Sequence, residues 1–355
     1  MKKIVTIIGA RPQFIKAAIF SKEILKSNSF FEIIIHTGQH YDQDMSNIFF
    51  EQMSIPTPKY NLNINSKLHG EMTGMQVMEI EKCLMIEKPD YVLVYGDTNS
   101  TLAGALAAVK LHIPIIHIES GLRSFNNKMP EEINRILTDR ISTFLFAPTS
   151  NAVENLINEG VNPNNIFLVG DIMLDATIFF KSYAHKPNWF NAIIEKYILC
   201  TIHRAENTDN PIALRSIFKA LSKSKIDIIL PLHPRTKSRL IEYEINIPPN
   251  IQIVSPVGYL EMLWLESNSS FIITDSGGLQ KEAYFNNKFC ITLRNETEWN
   301  ELVNLNFNIL VGSDELKIEN AINAEIPEII SNNLYGTGDA CQKIIKILNS
   351  RISKF

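Results

Sequence analysis

A chain of 355 residues with 45% hydrophobic and 20% charged side chains carries enough apolar material for about two globular domains of roughly 150 residues each, and excludes long disorder, collagen-like repeats and a small disulfide scaffold. Its 34 Lys and Arg against 38 Asp and Glu leave a net charge of −4, without the basic excess of a protein that binds a nucleic-acid backbone, so no nucleic-acid partner is expected. Cys83, Cys200, Cys290 and Cys341 lie far apart with no CxxC pair, which points to reduced thiols and a cytoplasmic location.

Met1-Lys2-Lys3 followed by Ile4 to Ala10 imitates an export signal until Arg11 and Pro12 interrupt it, so the run reads as a first buried strand. No stretch approaches the roughly 18 apolar residues of a membrane helix, and neither export nor a membrane partner is expected. From there short apolar runs ending in Gly, Asp or His alternate with longer amphipathic stretches, the rhythm of parallel strands joined by crossover helices. The expected class is α/β. Strands are predicted at 4–8, 32–36, 91–95, 114–118, 143–147 and 165–169, and a second set at 198–202, 227–230, 251–254, 271–274, 289–293 and 308–311. Between the sets, Tyr183 to Asn191 carries Pro187, polar residues and no clear periodicity, and is the expected boundary. Two Rossmann-like domains of similar size follow, residues 1–178 and 179–339, facing a cleft.

Ligands of parallel sheets bind outside the strand C-termini. The conspicuous polar residues fall there: Gly9-Ala10-Arg11, Thr37-Gly38-Gln39-His40, Gly96-Asp97-Thr98-Asn99-Ser100, Glu119-Ser120-Gly121, Thr201-Ile202-His203-Arg204 and Asp275-Ser276-Gly277-Gly278. In the last of these a strand, a small-residue turn and a helix follow one another. Exposed backbone N–H groups and the positive helix end suit such a turn to a diphosphate. Glu282, one turn inside, would repel phosphate but could accept hydrogen bonds from a ribose diol, which favours a nucleotide. The plainer reading is an ordinary Ser-initiated helix.

Gly9 to Lys16 is another strand-to-helix turn, but it has neither GxGxxG nor the Walker pattern, so neither a dinucleotide nor P-loop chemistry is expected. Arg11 and Lys16 could face anionic ligand groups, against the alternative of solvated surface charges. Asp97, Glu119, Glu131 and Glu132 are the acid and base candidates; neighbouring carboxylates push their pKa values apart and can supply one acid and one base. As alternatives, Asp97 could cap the helix beginning near Thr98, Glu119 could pair with Arg123, and Glu131 and Glu132 could decorate the turn after Pro130. His203, with Arg204 beside it, and His233 after the next strand could donate to a phosphate, and His203 could shuttle a proton. His117-Ile118-Glu119 is half of a zinc-deaminase signature, but PCxxC and HExxH are both missing, so no metal site is expected.

Taken together, IGARPQFIK (8–16), HTGQH (36–40), GDTNSTLAGA (96–105), HIESGLRS (117–124), PEEINR (130–135), TIHRAEN (201–207) and TDSGGLQKEA (274–283) resemble the motifs of the non-hydrolysing UDP-N-acetylglucosamine 2-epimerase family across nearly the whole chain. Ile202 is an insertion relative to the family's THRAEN. The resemblance implies a glycosyltransferase B-type architecture, with a C-terminal helix over 340–355 completing the first domain. It implies a homodimer and no cofactor. It places uracil and phosphate contacts on Arg11, Lys16, His203, Ser276, Gly277, Gly278 and Glu282, catalytic carboxylates on Asp97, Glu119 and Glu131, and a supporting role on Arg135, with His203 between sugar and phosphates.

The implied chemistry is consistent with the residues. The C2 proton of a hexosamine is not next to a carbonyl, so direct deprotonation is difficult. Eliminating UDP while a carboxylate removes that proton gives a 2-acetamidoglycal, and re-addition with protonation on the other face inverts C2. Two proton-transfer groups are needed. His69-Gly70 stands where bacterial UDP-N-acetylglucosamine epimerases have an Arg-Gln pair beside an activating second nucleotide site. HGEMTG (69–74) and RSFNNKMPEEINRILTDR (123–140) resemble instead the branch acting on UDP-2,3-diacetamido-2,3-dideoxy-glucuronate for surface polysaccharides, whose carboxylate Lys128, Arg123 or Arg294 could meet. The alternatives are UDP-N-acetylglucosamine as substrate, and more remotely a hydrolysing epimerase, a glycosyltransferase or a nucleotide-sugar sensor.

Overall fold

The computed structural model describes residues 1–39, 53, 55–190, 196–327 and 333–352. The chain divides into two compact units, Met1–Phe179 with Asn333–Phe355, and Phe180–Asn332. Each is built on one parallel sheet.

The first sheet contains β1 (Lys2–Ile8), β2 (Phe30–His36), β3 (Tyr60–Asn61), β4 (Tyr91–Tyr95), β5 (Ile115–Ile118), β6 (Phe144–Ala147) and β7 (Ile166–Leu168), in the order β3-β2-β1-β4-β5-β6-β7. A parallel sheet is covered by helices on both faces, so its central strands are apolar throughout rather than alternating. Tyr91-Val92-Leu93-Val94-Tyr95 is buried at every position. Val5, Ile7, Val92 and Val94 pack with Ile80 and Leu84 of the helix His69–Glu87 and with the alanines Ala103, Ala107 and Ala108 of the helix Asn99–Lys110. Gly104 lets that second helix lie close: a Cβ there would stand 2.7 Å from Ile7 Cδ1.

The first strand begins at Lys2, earlier than its apolar run, because the Lys2 N–H donates to Ser29 O at 3.0 Å and the Lys3 N–H to Asp90 Oδ2 at 2.7 Å. The edge strand Tyr60–Asn61 is additional to those expected; two residues pairing with Ile35 and His36 leave no sequence pattern. The helix Ala340–Ile352 belongs to this unit, its first turn held by Asp175, whose carboxylate accepts from Ala340 N at 3.2 Å and Cys341 N at 2.9 Å.

The second sheet contains β8 (Tyr197–Thr201), β9 (Asp227–Pro231), β10 (Ile251–Val254), β11 (Ile272–Thr274), β12 (Cys290–Thr292) and β13 (Asn308–Leu310), in the order β10-β9-β8-β11-β12-β13. Phe190, in the stretch expected to be the boundary, is buried against Tyr197 and Trp264, while Asn191 lies outside the described residues.

Both sheets change direction once. The chain runs outward from β1 through β2 and β3, then returns to β4 on the other side of β1; it does the same from β8 through β9 and β10 to β11. The C-terminal ends of β1 and β4, and of β8 and β11, therefore diverge into loops on opposite sides, which opens a crevice at each switch point. The candidate site residues come from these loops and their neighbours.

Candidate active site

At the first switch point Gln13 joins the two loops. Its Oε1 accepts from the Gly9 and Ala10 N–H groups at 2.8 and 3.0 Å, and its Nε2 donates to Tyr95 O at 3.0 Å. Gly9 has no room for a side chain, because a Cβ would stand 2.0 Å from Thr37 Oγ1 and 2.2 Å from Ser100 Oγ. Those two hydroxyls meet at 2.7 Å, and Gln39 Oε1 accepts from Ser100 N at 3.1 Å. Arg11 starts the helix Arg11–Ser27 and is partly exposed. Of the adjacent HTGQH motif, His36 is buried against the Phe14 ring, and burial holds its pKa below the usual histidine value; His40 lies outside the described residues.

Lys16 is not a solvated charge. It is 6% exposed and its Nζ makes a buried ion pair with Glu119 Oε2. Glu119 itself has a φ of +71°, a left-handed conformation that costs of order 1–3 kcal/mol in a residue with a side chain and is characteristic of functional sites. The Glu119 and Ser120 N–H groups both donate to Phe146 O at 3.1 Å, so the chain bulges where it leaves β5. Arg123, expected as a partner for Glu119 or for a sugar carboxylate, is bound to other carboxylates. It is 2% exposed, and its guanidinium grips Glu159 at 2.6 and 2.7 Å and Asp139 at 2.8 Å.

Asp97 follows β4 and pairs with Arg135 Nη2. It does not cap the next helix; Thr98 does, its side chain accepting from Thr101 N. The helix Pro130–Ile141 separates its adjacent glutamates. Glu132 is 1% exposed and accepts from Ser124 N at 3.0 Å, Phe125 N at 2.9 Å and Arg135 Nη1 at 2.9 Å, a structural role that orients the arginine toward Asp97. Glu131 is only partly buried. Asn134 donates to Asp97 O at 2.9 Å and to Asn99 Oδ1 at 3.2 Å, and Asn99 Nδ2 lies 3.1 Å from His69 Nδ1. His69 is thus linked by two amides to the Asp97 loop. Lys16 pairs with Glu119, and Arg135 is shared by Asp97 and Glu132.

At the second switch point the organising residue is Asp275, which sequence reading placed in a motif without a role. Fully buried, its carboxylate accepts from His203 N at 3.0 Å, Arg204 N at 2.9 Å and Asn207 Nδ2 at 3.1 Å, and lies 3.3 Å from His203 Nδ1. This bends the loop after β8 and sets the His203 ring, whose side chain is 37% exposed. His233 starts the helix Pro234–Glu242; its Nδ1 accepts from Arg235 N at 3.2 Å, which leaves the exposed Nε2 as donor, and its ring centre stands 5.9 Å from that of His203.

Ser276 caps the helix Gly277–Phe285 and leaves the Gly277 and Gly278 N–H groups in its first turn, where helix donors lack intrahelical partners. A Cβ on Gly277 would stand 2.1 Å from Glu298 Oε1, whereas one on Gly278 would meet nothing nearer than Ser276 Oγ at 4.0 Å. The turn is closed behind and open in front. Trp299 Nε1 donates to Gly277 O at 2.9 Å and Gln280 Oε1 accepts from Thr297 Oγ1 at 2.7 Å, fixing it from below. Glu282 is 9% exposed. Arg294, a candidate for a sugar carboxylate, is instead buried and bound to Glu298 Oε2 at 2.9 Å; Lys128 is exposed. Among the described residues no group of three His, Cys, Asp or Glu is placed to hold a metal ion, and both nitrogens of His117 are engaged, one by Asp139 and the other by Gly96 O.

Two Rossmann-like sheets with nucleotide-compatible loops at their switch points define a two-unit α/β enzyme of glycosyltransferase B type. Residues 22–349 match the family described as UDP-N-acetylglucosamine 2-epimerase, and the chain belongs to that family of isomerases, as its seven motifs led one to expect. It is 52% identical to the UDP-2,3-diacetamido-2,3-dideoxy-D-glucuronate 2-epimerase of Pseudomonas aeruginosa, over 98% of this chain and 99% of that one. It is 53% identical to a UDP-N-acetylglucosamine 2-epimerase homolog of Methanococcus maripaludis, with the same coverage. The crystal structure of the Methanocaldococcus jannaschii UDP-GlcNAc 2-epimerase in complex with UDP-GlcNAc and UDP superposes with a TM-score of 0.92 at 45% identity, over 98% of this chain and 99% of that one.

Proposed function

We propose that the enzyme inverts C2 of UDP-2,3-diacetamido-2,3-dideoxy-D-glucuronate, giving the manno epimer for surface polysaccharide synthesis. The geometry that carries the chemistry is the pair of strand-end carboxylates, Glu119 held by Lys16 and Asp97 held by Arg135. The identity of 52% along the whole length to the Pseudomonas enzyme supports this sugar.

In the reaction a carboxylate removes the C2 proton while the anomeric C–O bond breaks. Electrons from the C–H bond form the C1–C2 double bond of the glycal, and those of the broken bond leave with UDP. Protonation of C2 from the other face, with UDP adding back to C1, completes the inversion. Hydrogen and charge balance without an oxidant, so the scheme calls for no cofactor. Asp97, Glu119 and Glu131 share the proton transfers. Arg11, Lys16, His203, Arg204, His233, Ser276, Gly277 and Gly278 bind and stabilise the diphosphate, and Glu282 takes the ribose diol. Electrostatic stabilisation of the leaving group is distinct from proton transfer and adds to it. The protein acts as a cytoplasmic homodimer, with the exposed Met75, Met78 and Met85 of the helix His69–Glu87 as candidate contacts.

The test is NMR in D2O with the diacetamido-glucuronate and, separately, with UDP-N-acetylglucosamine. Deuterated C2 epimer from the first substrate alone supports the proposal. The likeness to the Methanocaldococcus enzyme favours the second reading, a UDP-N-acetylglucosamine 2-epimerase, and turnover of that substrate alone would establish it. Absence of exchange with both would overturn the epimerase reading. Asp97→Asn and Glu119→Gln should each lower kcat by about 10²- to 10⁴-fold, the usual worth of a positioned acid or base.

A further inference from the structure

His117 is wholly buried at the end of β5 and takes no part in the scheme above. Its Nε2 stands 2.7 Å from Gly96 O and its Nδ1 2.8 Å from Asp139 Oδ1. A carbonyl oxygen can only accept, so Nε2 carries a hydrogen and donates it to Gly96. The other oxygen of Asp139 accepts from the Gly121 N–H at 3.0 Å and from Arg123 Nη1 at 2.8 Å.

The two peptides gripped in this way flank the two carboxylates. Gly96, with φ +63°, precedes Asp97; Gly121, with φ +81°, follows Glu119 by two residues. The loops are also tied directly, Gly96 N donating to Ile118 O at 3.0 Å. Glu119 Oε2 and Lys16 Nζ each stand 3.6 Å from the position a Gly96 Cβ would take, so the peptide held by His117 is the surface on which the Lys16–Glu119 pair rests.

We propose that His117, with Asp139 behind it, is a positioning residue that fixes Asp97 and Glu119 relative to each other. Holding the two loops together sets how the C2 proton is removed from one face and returned to the other. This inference rests on the reading of Asp97 and Glu119 as the proton-transfer groups. His117 itself transfers no proton to the sugar, since both ring nitrogens are engaged within the protein.

The test uses full-length His117→Asn and Asp139→Asn enzymes, the second retaining the shape and an acceptor at Asp139. For each, kcat, KM, the Kd of UDP and the ratio of C2 deuterium incorporated with retention to that with inversion are measured in D2O. A displacement of about 1 Å at a reacting group can cost about 10²-fold, so kcat should fall by that order. KM and the Kd of UDP should stay within about twofold, the signature of a transition-state effect. The retention-to-inversion ratio should change, which a smaller fraction of folded enzyme would not produce. The double variant should be no worse than the poorer single one, because the two residues act as one unit. Folded variants with normal kcat, or with lowered kcat and an unchanged ratio, would overturn the proposal. If His117→Asn does not fold, Asp139→Asn carries the same measurements. Asp97→Asn separates the two levels of argument: normal turnover there removes the underlying reading, whereas an inactive Asp97→Asn beside fully active His117→Asn and Asp139→Asn removes only the positioning role.

Discussion

Lys16 and Glu119 meet as a buried ion pair although they arise on different elements, one on the helix after β1 and the other at the bulge after β5. Removing one partner of such a pair leaves a charge uncompensated and typically costs about 3–5 kcal/mol, whereas neutralising both costs far less. Lys16→Met should therefore lower the unfolding free energy by about that amount, and Lys16→Met/Glu119→Gln should recover most of it while remaining inactive. Urea unfolding of the parent and the two variants checks the order. A double variant as unstable as Lys16→Met would show that the lysine acts through packing rather than through charge.

Asp275 holds the loop after β8 in the unit spanning Phe180–Asn332. Three N–H donors converge on its buried carboxylate, and two of them are the backbone groups of His203 and Arg204. Hydrogen bonds to a charged group contribute about 1.5–3 kcal/mol each to an ordered site. Asp275→Ala should thus release the loop after β8, weaken UDP binding by more than about tenfold and lower stability measurably. Calorimetric titration with UDP reads the first effect and thermal unfolding the second. Unchanged UDP affinity in a folded variant would mean that the loop does not contact the nucleotide.

The two glycines of the same site should separate packing from ligand contact. A methyl group at Gly277 would collide with Glu298 Oε1, while one at Gly278 would meet no protein atom closer than 4.0 Å. Gly277→Ala should lower the thermal midpoint by several degrees, the scale of a loss of about 1–2 kcal/mol. Gly278→Ala should leave it unchanged and still raise the Kd of UDP, because the methyl occupies space that a phosphate approaching the helix N-terminus would use. Equal UDP affinity in Gly278→Ala and the parent enzyme would remove the phosphates from that turn.

How much of this was readable in advance follows from the range of the interactions. The loops of both switch points stand out because Gly, Asp and His interrupt apolar runs, and an interrupted run is a local signal. The residues that hold those loops are not marked in that way. Gln13 looks like an ordinary helical residue until it bridges to Tyr95, and Arg123 gives no hint that Asp139 and Glu159 will meet it. Glu131 and Glu132 are adjacent in sequence, and only the packing of their helix decides that Glu132 points inward to Arg135. Periodicity reports which face is buried, not which distant partner waits there. Tyr60–Asn61 is a strand for the same reason, by pairing alone.

Glu87 ties stability to acid pH. Lys59, Tyr60 and Lys3 all bind Glu87, with the Tyr60 hydroxyl donating to Oε1 at 2.6 Å, and these contacts, chiefly that of Lys59, hold the Glu87 carboxyl down at about 2. An unfolded glutamate titrates near ~4.3. Because the folded value is the lower one, the stabilisation is complete above the unfolded pKa and disappears as pH falls through the folded one. The same contact pushes the Tyr60 hydroxyl up to about 12; there the folded value is the higher one, so its stabilisation is complete below the unfolded pKa of about 10 and is lost as pH rises through the folded one. Glu87→Gln should flatten the decline in urea midpoint between roughly pH 5 and pH 2, leaving the rest of the acid transition in place. A parallel downward shift of the whole curve, with its slope unchanged, would mean that Glu87 contributes by packing and not by its charge.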